Sequence, residues 1–156
     1  MAPGTCCHCL VWCANGDVMC QAKDIMSKEL ATVKRDAGIR DVIRLLAEHS
    51  ITGLPVVDDD MYLLGMVTEK DVLKMLYEYH GQSTSAEDLM TSDTICFHED
   101  DDLIEVFESL VENNFRRVPI LSEGRLVGIV SRRDMVEFLF RKVPGSGNAV
   151  KEGMVS

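Results

Sequence analysis

The sequence predicts an α+β protein built from two copies of one unit, and three observations support this fold class. Short motifs recur within the 156-residue chain. The hydrophobic pattern changes in the same order in both copies, from helical spacing to short apolar runs and back to helical spacing. The composition, with 46% hydrophobic and 27% charged residues, is that of an ordinary globular chain.

Three pairs of motifs relate the two copies. They are residues 23–26 (KDIM) with 87–90 (EDLM), 51–57 (ITGLPVV) with 115–121 (FRRVPIL), and 65–71 (GMVTEKD) with 128–134 (GIVSRRD). The first two pairs are 64 residues apart and the third is 63 apart, so the second copy is one residue shorter between them. The lost residue falls in the polar turn near residues 58–61, where a change of length costs little stability. An internal repeat of this kind decides the architecture.

Each copy contains a first helix, a hairpin and a second helix. Apolar residues at i, i+3, i+4 and i+7 predict the first helix. They are Ile39, Val42, Ile43 and Leu46 in one copy, and Leu103, Val106, Phe107, Leu110 and Val111 in the other. Two short β-branched runs around a polar turn predict the hairpin, at residues 54–57 with 62–68 and 118–121 with 125–131.

A second apolar face follows each hairpin and predicts the second helix. Its residues are Val72, Leu73, Met75, Leu76 and Tyr79, then Met135, Val136, Leu139 and Phe140. A short strand is expected before each first helix, near residues 32–33 and 95–96. Because a unit of about 60 residues buries too little surface to be stable alone, we expect the copies to pack sheet against sheet.

Composition divides the chain into five segments. They are a cysteine-rich segment (1–21), the first repeat (22–80), a linker (81–85), the second repeat (86–143) and a flexible tail (144–156). In the first segment, Cys6, His8, Cys9 and Cys13 are candidate zinc ligands or a redox-responsive cluster. Their irregular spacing equally fits a reduced, poorly structured segment.

The net charge of −10 argues against a nucleic-acid partner, because such binding depends on neutralising phosphates. No run approaches the roughly 20 apolar residues that cross a bilayer, so no membrane role is predicted. The first residues lack the features of a secretory signal. We therefore expect a cytoplasmic protein.

The third repeated motif places a hydroxyl and an acid at a strand-to-helix junction in each copy. Thr68 with Asp71, and Ser131 with Asp134, have the spacing of a helix capping box. The same carboxylate could instead accept hydrogen bonds from the hydroxyls of a ribose. The arrangement occurs twice, each time behind a hairpin, and so indicates two equivalent ligand clefts.

In combination, the repeated motifs resemble those of paired cystathionine-β-synthase-type (CBS) domains, the Bateman module, over about residues 22–142. The resemblance implies two β-α-β-β-α repeats that pack through their sheets about a pseudo-twofold axis. It implies two clefts for adenosine-containing ligands, such as AMP, ADP or ATP, with S-adenosylmethionine or NAD also possible. It implies a homodimer as well. No catalytic constellation stands out, so we expect no enzyme and no required cofactor, but a regulatory module that relays binding to a still unidentified partner. The alternative is a dimerising scaffold with a metal-binding or redox-responsive N-terminal segment.

The resemblance also assigns site residues. It implies that Asp71 and Asp134 hold the ribose, with Thr68 and Ser131 near the ribose or phosphate. Met66 and Ile129 would lie against the base. The base and phosphate sides would be lined by Ile51, Thr52, Gly53, Phe115, Arg116 and Arg117, and the predicted lining is completed by Leu54, Pro55, Val118, Pro119 and Arg133.

The two copies differ in charge. Arg116, Arg117, Arg132 and Arg133 lie near the motifs of the second copy, where the first has Thr52-Gly53 and Glu69-Lys70. Arginine presents a planar fork of donors that suits phosphate. For Arg132 and Arg133, a solvated charged surface explains the residues equally well. We therefore predict unequal affinities in the two clefts, with the phosphate held by Arg116 and Arg117.

Overall fold

The computed structural model describes residues 20–78 and 84–142, which form two three-stranded sheets and six helices. The first sheet contains β1 (Val33–Lys34), β2 (Gly53–Val57) and β3 (Leu63–Thr68), and the second contains β4 (Phe97–His98), β5 (Arg117–Ser122) and β6 (Arg125–Ser131). The helices are α1 (Ala22–Ile25), α2 (Ile39–Glu48), α3 (Glu69–Glu78), α4 (Ala86–Leu89), α5 (Leu103–Glu112) and α6 (Arg132–Lys142). The predicted cysteine and histidine cluster, most of the predicted linker and the predicted tail lie outside the described residues.

Both sheets have the same topology. A two-residue strand runs parallel to the central strand, which pairs with the third strand as an antiparallel hairpin. The predicted α+β class and both predicted hairpins are confirmed. The short strands begin at Val33 and Phe97, one and two residues later than predicted. Their position depends on pairing with Val56 and Ile120 of the central strands, which local sequence does not reveal.

The first short helix of each repeat packs against the sheet of the other repeat. Ala22 of α1 is fully buried in the core formed by α5, β5 and β6, and Ala86 of α4 is fully buried in the core formed by α2, β2 and β3. After α1, Ser27 exchanges backbone hydrogen bonds of 2.9 and 3.0 Å with Ile129 of β6. After α4, Thr91 exchanges equivalent bonds of 2.9 and 3.0 Å with Met66 of β3. The two repeats are therefore interlocked by an exchange of helices.

One glycine in each sheet leaves room for this exchange. A Cβ atom on Gly65 would lie 2.6 Å from the backbone oxygen of Thr91, and a Cβ on Gly128 would overlap the side chain of Met26. Both contacts are closer than real Cβ atoms make. The two glycines are equivalent positions of the repeat, so the same requirement is met twice.

The two hairpin turns meet on another side of the molecule. Leu126 donates a 2.8 Å backbone hydrogen bond to Met61, and the guanidinium of Arg125 lies 5.3 Å from the ring centre of Tyr62. Gly124, with a φ of +81°, lies against the same ring. These contacts hold the two sheets together at the turns. Across residues 20–78 and 84–142, the helices are too short or too polar to cross a membrane.

We predict that Gly65→Ala lowers the free energy of unfolding by about 1–3 kcal/mol, because the new methyl group meets backbone that has little freedom to move. The comparison is Gly38→Ala, since a Cβ at Gly38 meets no atom within 4 Å and the φ of −69° suits alanine. Gly38 is the N-cap of α2, so this variant carries only the smaller cost of an alanine cap. Urea unfolding followed by circular dichroism measures both changes. Equal stabilities for the two variants would contradict the proposed tight contact at Gly65.

Candidate functional site

Two cavities lie between the repeats, each lined by residues of both. The larger has a volume of about 580 Å³ and lies between the approach to β2 and the junction of β6 with α6. The smaller, of about 450 Å³, lies between the approach to β5 and the junction of β3 with α3. The two cavities are therefore built from equivalent positions of the two repeats, as expected for a pair of related clefts.

A capping carboxylate lies at each strand-to-helix junction. Asp71 Oδ2 accepts hydrogen bonds of 2.8 Å from both the backbone N–H and the hydroxyl of Thr68. Asp134 Oδ2 accepts equivalent bonds of 2.7 and 2.8 Å from Ser131. The cap is therefore real in both copies. In both carboxylates Oδ1 accepts no hydrogen bond from the described residues, so capping leaves one oxygen of each acid free.

Most of the predicted site residues line the cavities. The larger cavity is lined by Ile51, Thr52, Gly53, Arg116, Arg117, Ile129, Ser131, Arg133 and Asp134. The smaller is lined by Thr52, Gly53, Met66, Thr68, Phe115, Arg116, Arg117 and Pro119. Thr52, Gly53, Arg116 and Arg117 therefore line both.

Four predicted site residues line neither cavity. Leu54 and Val118 are fully buried and point into the two hydrophobic cores, because they alternate with cavity-facing neighbours along their strands. Pro55 is also fully buried. Asp71 lies behind Thr68, and the wall there is formed by Thr68, Glu69 and Lys70. The two copies thus share their cap but differ in whether the acid reaches a cavity.

Several residues that line the cavities are not among the predicted site residues. They are Ser27, Glu29, Ala31, His49 and Ser50 in the larger cavity, and Glu69, Lys70, Thr91, Asp93, Thr94, Ile95 and Asn114 in the smaller. A signal was available for Ser27 and Thr91, because a hydroxyl residue directly follows the repeated Asp-apolar-Met motif in both copies. The exchange of α1 and α4 carries these two residues to the cavities.

Arg132 lines both cavities but is held by other contacts. Its Nε donates a 2.6 Å hydrogen bond to the Phe115 carbonyl, and its Nη2 donates to Asn114 Oδ1 at 2.8 Å and to the Leu110 carbonyl at 3.4 Å. Arg132 therefore anchors the C-terminal end of α5. Arg133 is 86% exposed and pairs with Glu137 at 3.2 Å, as an ordinary surface pair on α6 does.

Arg117 has a buried guanidinium nitrogen that is not hydrogen-bonded within the described part of the chain. Its Nε is buried and finds no hydrogen-bond partner among the described residues. Burial lowers the pKa of the guanidinium, the neighbouring charge of Arg116 lowers it further, and Asp134 acts in the opposite direction. A buried donor without an acceptor is costly. The described residues contain no cluster of three or more potential metal ligands.

The CBS domain family matches residues 22–78 and 86–141. The chain belongs to this family. A curated relative, the inosine-5'-monophosphate dehydrogenase of Methanocaldococcus jannaschii, is 33% identical over 118 residues, which cover 75% of this chain and 23% of the enzyme. The chain spans less than half the length of several curated relatives that it matches.

Two solved structures of CBS pairs hold ligands that contain adenosine. CBSX2 of Arabidopsis thaliana, solved in complex with AMP, is 30% identical, with a TM-score of 0.70 over 78% of this chain and 96% of that one. The CBS pair of protein MJ0100, in complex with 5'-methylthioadenosine and S-adenosyl-L-methionine, is also 30% identical. Its TM-score is 0.71 over 81% of this chain and all of that one. Proteins with CBS pairs are typically regulatory, although relatives such as the dehydrogenase are enzymes.

We predict that Arg132→Ala lowers the free energy of unfolding by about 1–2 kcal/mol, because three carbonyl-type acceptors at the end of α5 lose their charged donor. The control Arg133→Ala removes an exposed charge from the next position and should change stability by less than about 0.5 kcal/mol. Thermal unfolding by calorimetry measures both. A larger loss for Arg133→Ala than for Arg132→Ala would contradict the anchoring role.

Proposed function

We propose that the chain is a regulatory module that binds an adenosine-containing ligand between its two repeats, with an AMP-like nucleotide in the larger cavity. The observation that carries this proposal is the position of Asp134. Its Oδ2 caps α6, its Oδ1 accepts no hydrogen bond from residues 20–78 and 84–142, and the cavity that it lines also contains Arg116 and Arg117. One wall thus offers both an acceptor for sugar hydroxyls and donors for a phosphate.

The chemistry of the larger cavity matches the three parts of a nucleotide. The free carboxylate oxygen of Asp134 can accept hydrogen bonds from a ribose diol. The guanidinium groups of Arg116 and Arg117, which line the same cavity, can bind phosphate. Ile51 and Ile129 supply apolar surface for a flat base. Support also comes from the structural neighbours, since CBSX2 was solved with AMP and the MJ0100 pair with two adenosine derivatives.

Regulation follows from the position of the cavities. A ligand in either of them touches both repeats, so it favours the arrangement of repeats that it contacts best. A partner protein that senses this arrangement then receives the signal.

We predict that Asp134→Asn weakens AMP binding about 10- to 100-fold, because a charged acceptor for the ribose hydroxyls becomes a neutral one and charge-assisted hydrogen bonds contribute about 1.5–3 kcal/mol. Isothermal titration calorimetry measures the affinity. The matched control is Asp71→Asn, which alters the same kind of cap at the equivalent position but lies outside both cavities.

The control separates ligand binding from capping. If both substitutions lower stability by similar amounts but only Asp134→Asn weakens AMP binding, the acid acts on the ligand. If the two variants bind AMP equally well, the role of Asp134 is confined to its own helix and the proposal fails. Absence of AMP and adenosine binding by the unaltered chain defeats it directly.

The same module has a surface suited to a second copy of itself. Leu73 and Tyr77 on α3 are 54% and 80% exposed, and Val136 and Phe140 at the equivalent positions of α6 are 61% and 85% exposed. Spacing of four residues places each pair on one helix face. Because the apolar faces are related by the repeat, a twofold dimer would cover them with self-complementary contacts. We therefore include homodimerisation in the proposal.

We predict that Phe140→Glu shifts the chain from dimer to monomer, because a carboxylate would be buried against apolar side chains of the partner. Arg141→Glu is the control, since it introduces the same residue one position further along α6, on a different face. Sedimentation equilibrium or light scattering measures the mass. A dimer that survives Phe140→Glu, or an unaltered chain that is monomeric at high concentration, would exclude this face as the interface.

A further inference from the structure

The positive charge of the two cavities comes mainly from arginines that line both of them. Outside Arg116, Arg117 and the anchoring Arg132, the larger cavity is lined by two acids, Glu29 and Asp134, and one base, Arg133. The smaller cavity is lined by two acids, Glu69 and Asp93, and one base, Lys70. Without the arginines that they share, neither cavity has a net positive charge.

The shared arginines belong to one short segment. Arg116 and Arg117 immediately precede and begin β5, and both line both cavities. At the equivalent positions of the first repeat stand Thr52 and Gly53, which also line both cavities but carry no charge. Only the second repeat thus supplies a pair of cations at these positions, whereas two identical repeats would supply two pairs.

Arg132 keeps its positive charge, because its hydrogen-bond partners are neutral, but those partners hold its Nε and Nη2 donors at the end of α5. Its guanidinium is engaged by the Phe115 and Leu110 carbonyls and by Asn114. Arg133 points to solvent and pairs with Glu137. The shared cations whose donors are not held by the end of α5 are therefore Arg116 and Arg117, while Arg133 adds a surface charge to the larger cavity and Lys70 adds one to the smaller.

We infer that the two cavities compete for one cationic wall, so that the chain takes one phosphate-bearing nucleotide at a time, while the other cavity accepts an adenosine ligand without phosphate. This inference rests on the proposed function and extends it to the coupling between the cavities. A phosphate monoester carries about −1.5 to −2 charges at neutral pH, which neutralise the two guanidinium groups. A second phosphate then meets a cavity that is lined by two acids and one base of its own, with the engaged Arg132 as the remaining cation of the shared wall.

Coupling of this kind is reciprocal by thermodynamic necessity. A nucleotide in the larger cavity weakens the binding of another phosphate-bearing ligand in the smaller one, and the reverse holds to the same extent. Adenosine has no charge and is exempt from this competition. The module therefore distinguishes ligands that carry a phosphate from ligands that do not. Which pair of ligands can occupy the two cavities together depends on this difference.

The test is calorimetric titration of the full chain with AMP and with adenosine at low ionic strength. We expect one AMP per chain in the tight phase, a second AMP at least tenfold weaker, and adenosine binding to the AMP-saturated chain within about twofold of its affinity for the free smaller cavity. Raising the salt concentration should narrow the gap between the two AMP affinities, because it screens charges.

A gain-of-function variant tests the charge argument itself. Thr52→Arg places a second cation at the position equivalent to Arg116, on the wall shared by the cavities, and should strengthen binding of the second AMP about tenfold. Thr52→Gln, of comparable shape but without charge, should leave it unchanged. Equal strengthening by both variants would attribute the effect to contact area and overturn the inference.

The outcomes also separate this inference from the proposed function. Two AMP molecules bound with equal affinity, or exclusion of adenosine from the AMP-saturated chain, would overturn the shared wall while leaving nucleotide binding intact. Failure of both AMP and adenosine to bind would instead defeat the proposed function.

Discussion

The structure depends on the close contact between each sheet and a segment contributed by the other repeat. Gly65 and Gly128 allow this contact, because a side chain at either position would collide with Thr91 or Met26. Once the segments lie on the opposite sheets, Ala22 and Ala86 complete the two cores, and the backbone of Ser27 and Thr91 extends β6 and β3. A unit that is too small to be stable alone thereby becomes half of a larger folded body. The cavities are a consequence, since each is bounded on one side by the residues that follow an exchanged helix.

The sequence predicts the local structure of this chain well because each feature has a local cause. The capping boxes at Thr68 and Ser131 follow from hydroxyl and acid spacing, and the hairpins from β-branched runs around polar turns. The exchange of α1 and α4 has no such cause. It depends on backbone pairing between residues that are distant in sequence, 102 positions for Ser27 with Ile129 and 25 for Met66 with Thr91, and periodicity contains no information about that pairing.

The sequence predicts the residues of the site less accurately than the local structure, because packing between distant residues decides which of them line a cavity. Leu54 and Val118 belong to a motif that borders the cavities, but strand alternation turns their side chains into the cores. Asp71 and Asp134 occupy the same motif position and accept the same pair of capping bonds, yet only Asp134 lines a cavity. Likewise, the adjacent arginines of α6 differ only in their surroundings: Arg132 is engaged by the end of α5, while Arg133 is exposed to solvent. Motif position alone does not determine such differences, which arise from packing.

The pseudo-symmetry of the backbone and the asymmetry of its charges have different consequences. Symmetric backbone produces two cavities of comparable size from one repeated plan. Charges placed on one repeat only make the two cavities depend on the same cations, because Arg116 and Arg117 line both of them while Thr52 and Gly53 contribute none. The repeated backbone therefore produces the two cavities, and the differences between the repeats at a few wall positions determine where the positive charge lies. Coupling between the two cavities therefore needs no change in the fold. A phosphate that neutralises Arg116 and Arg117 alters the electrostatic potential in both cavities at once.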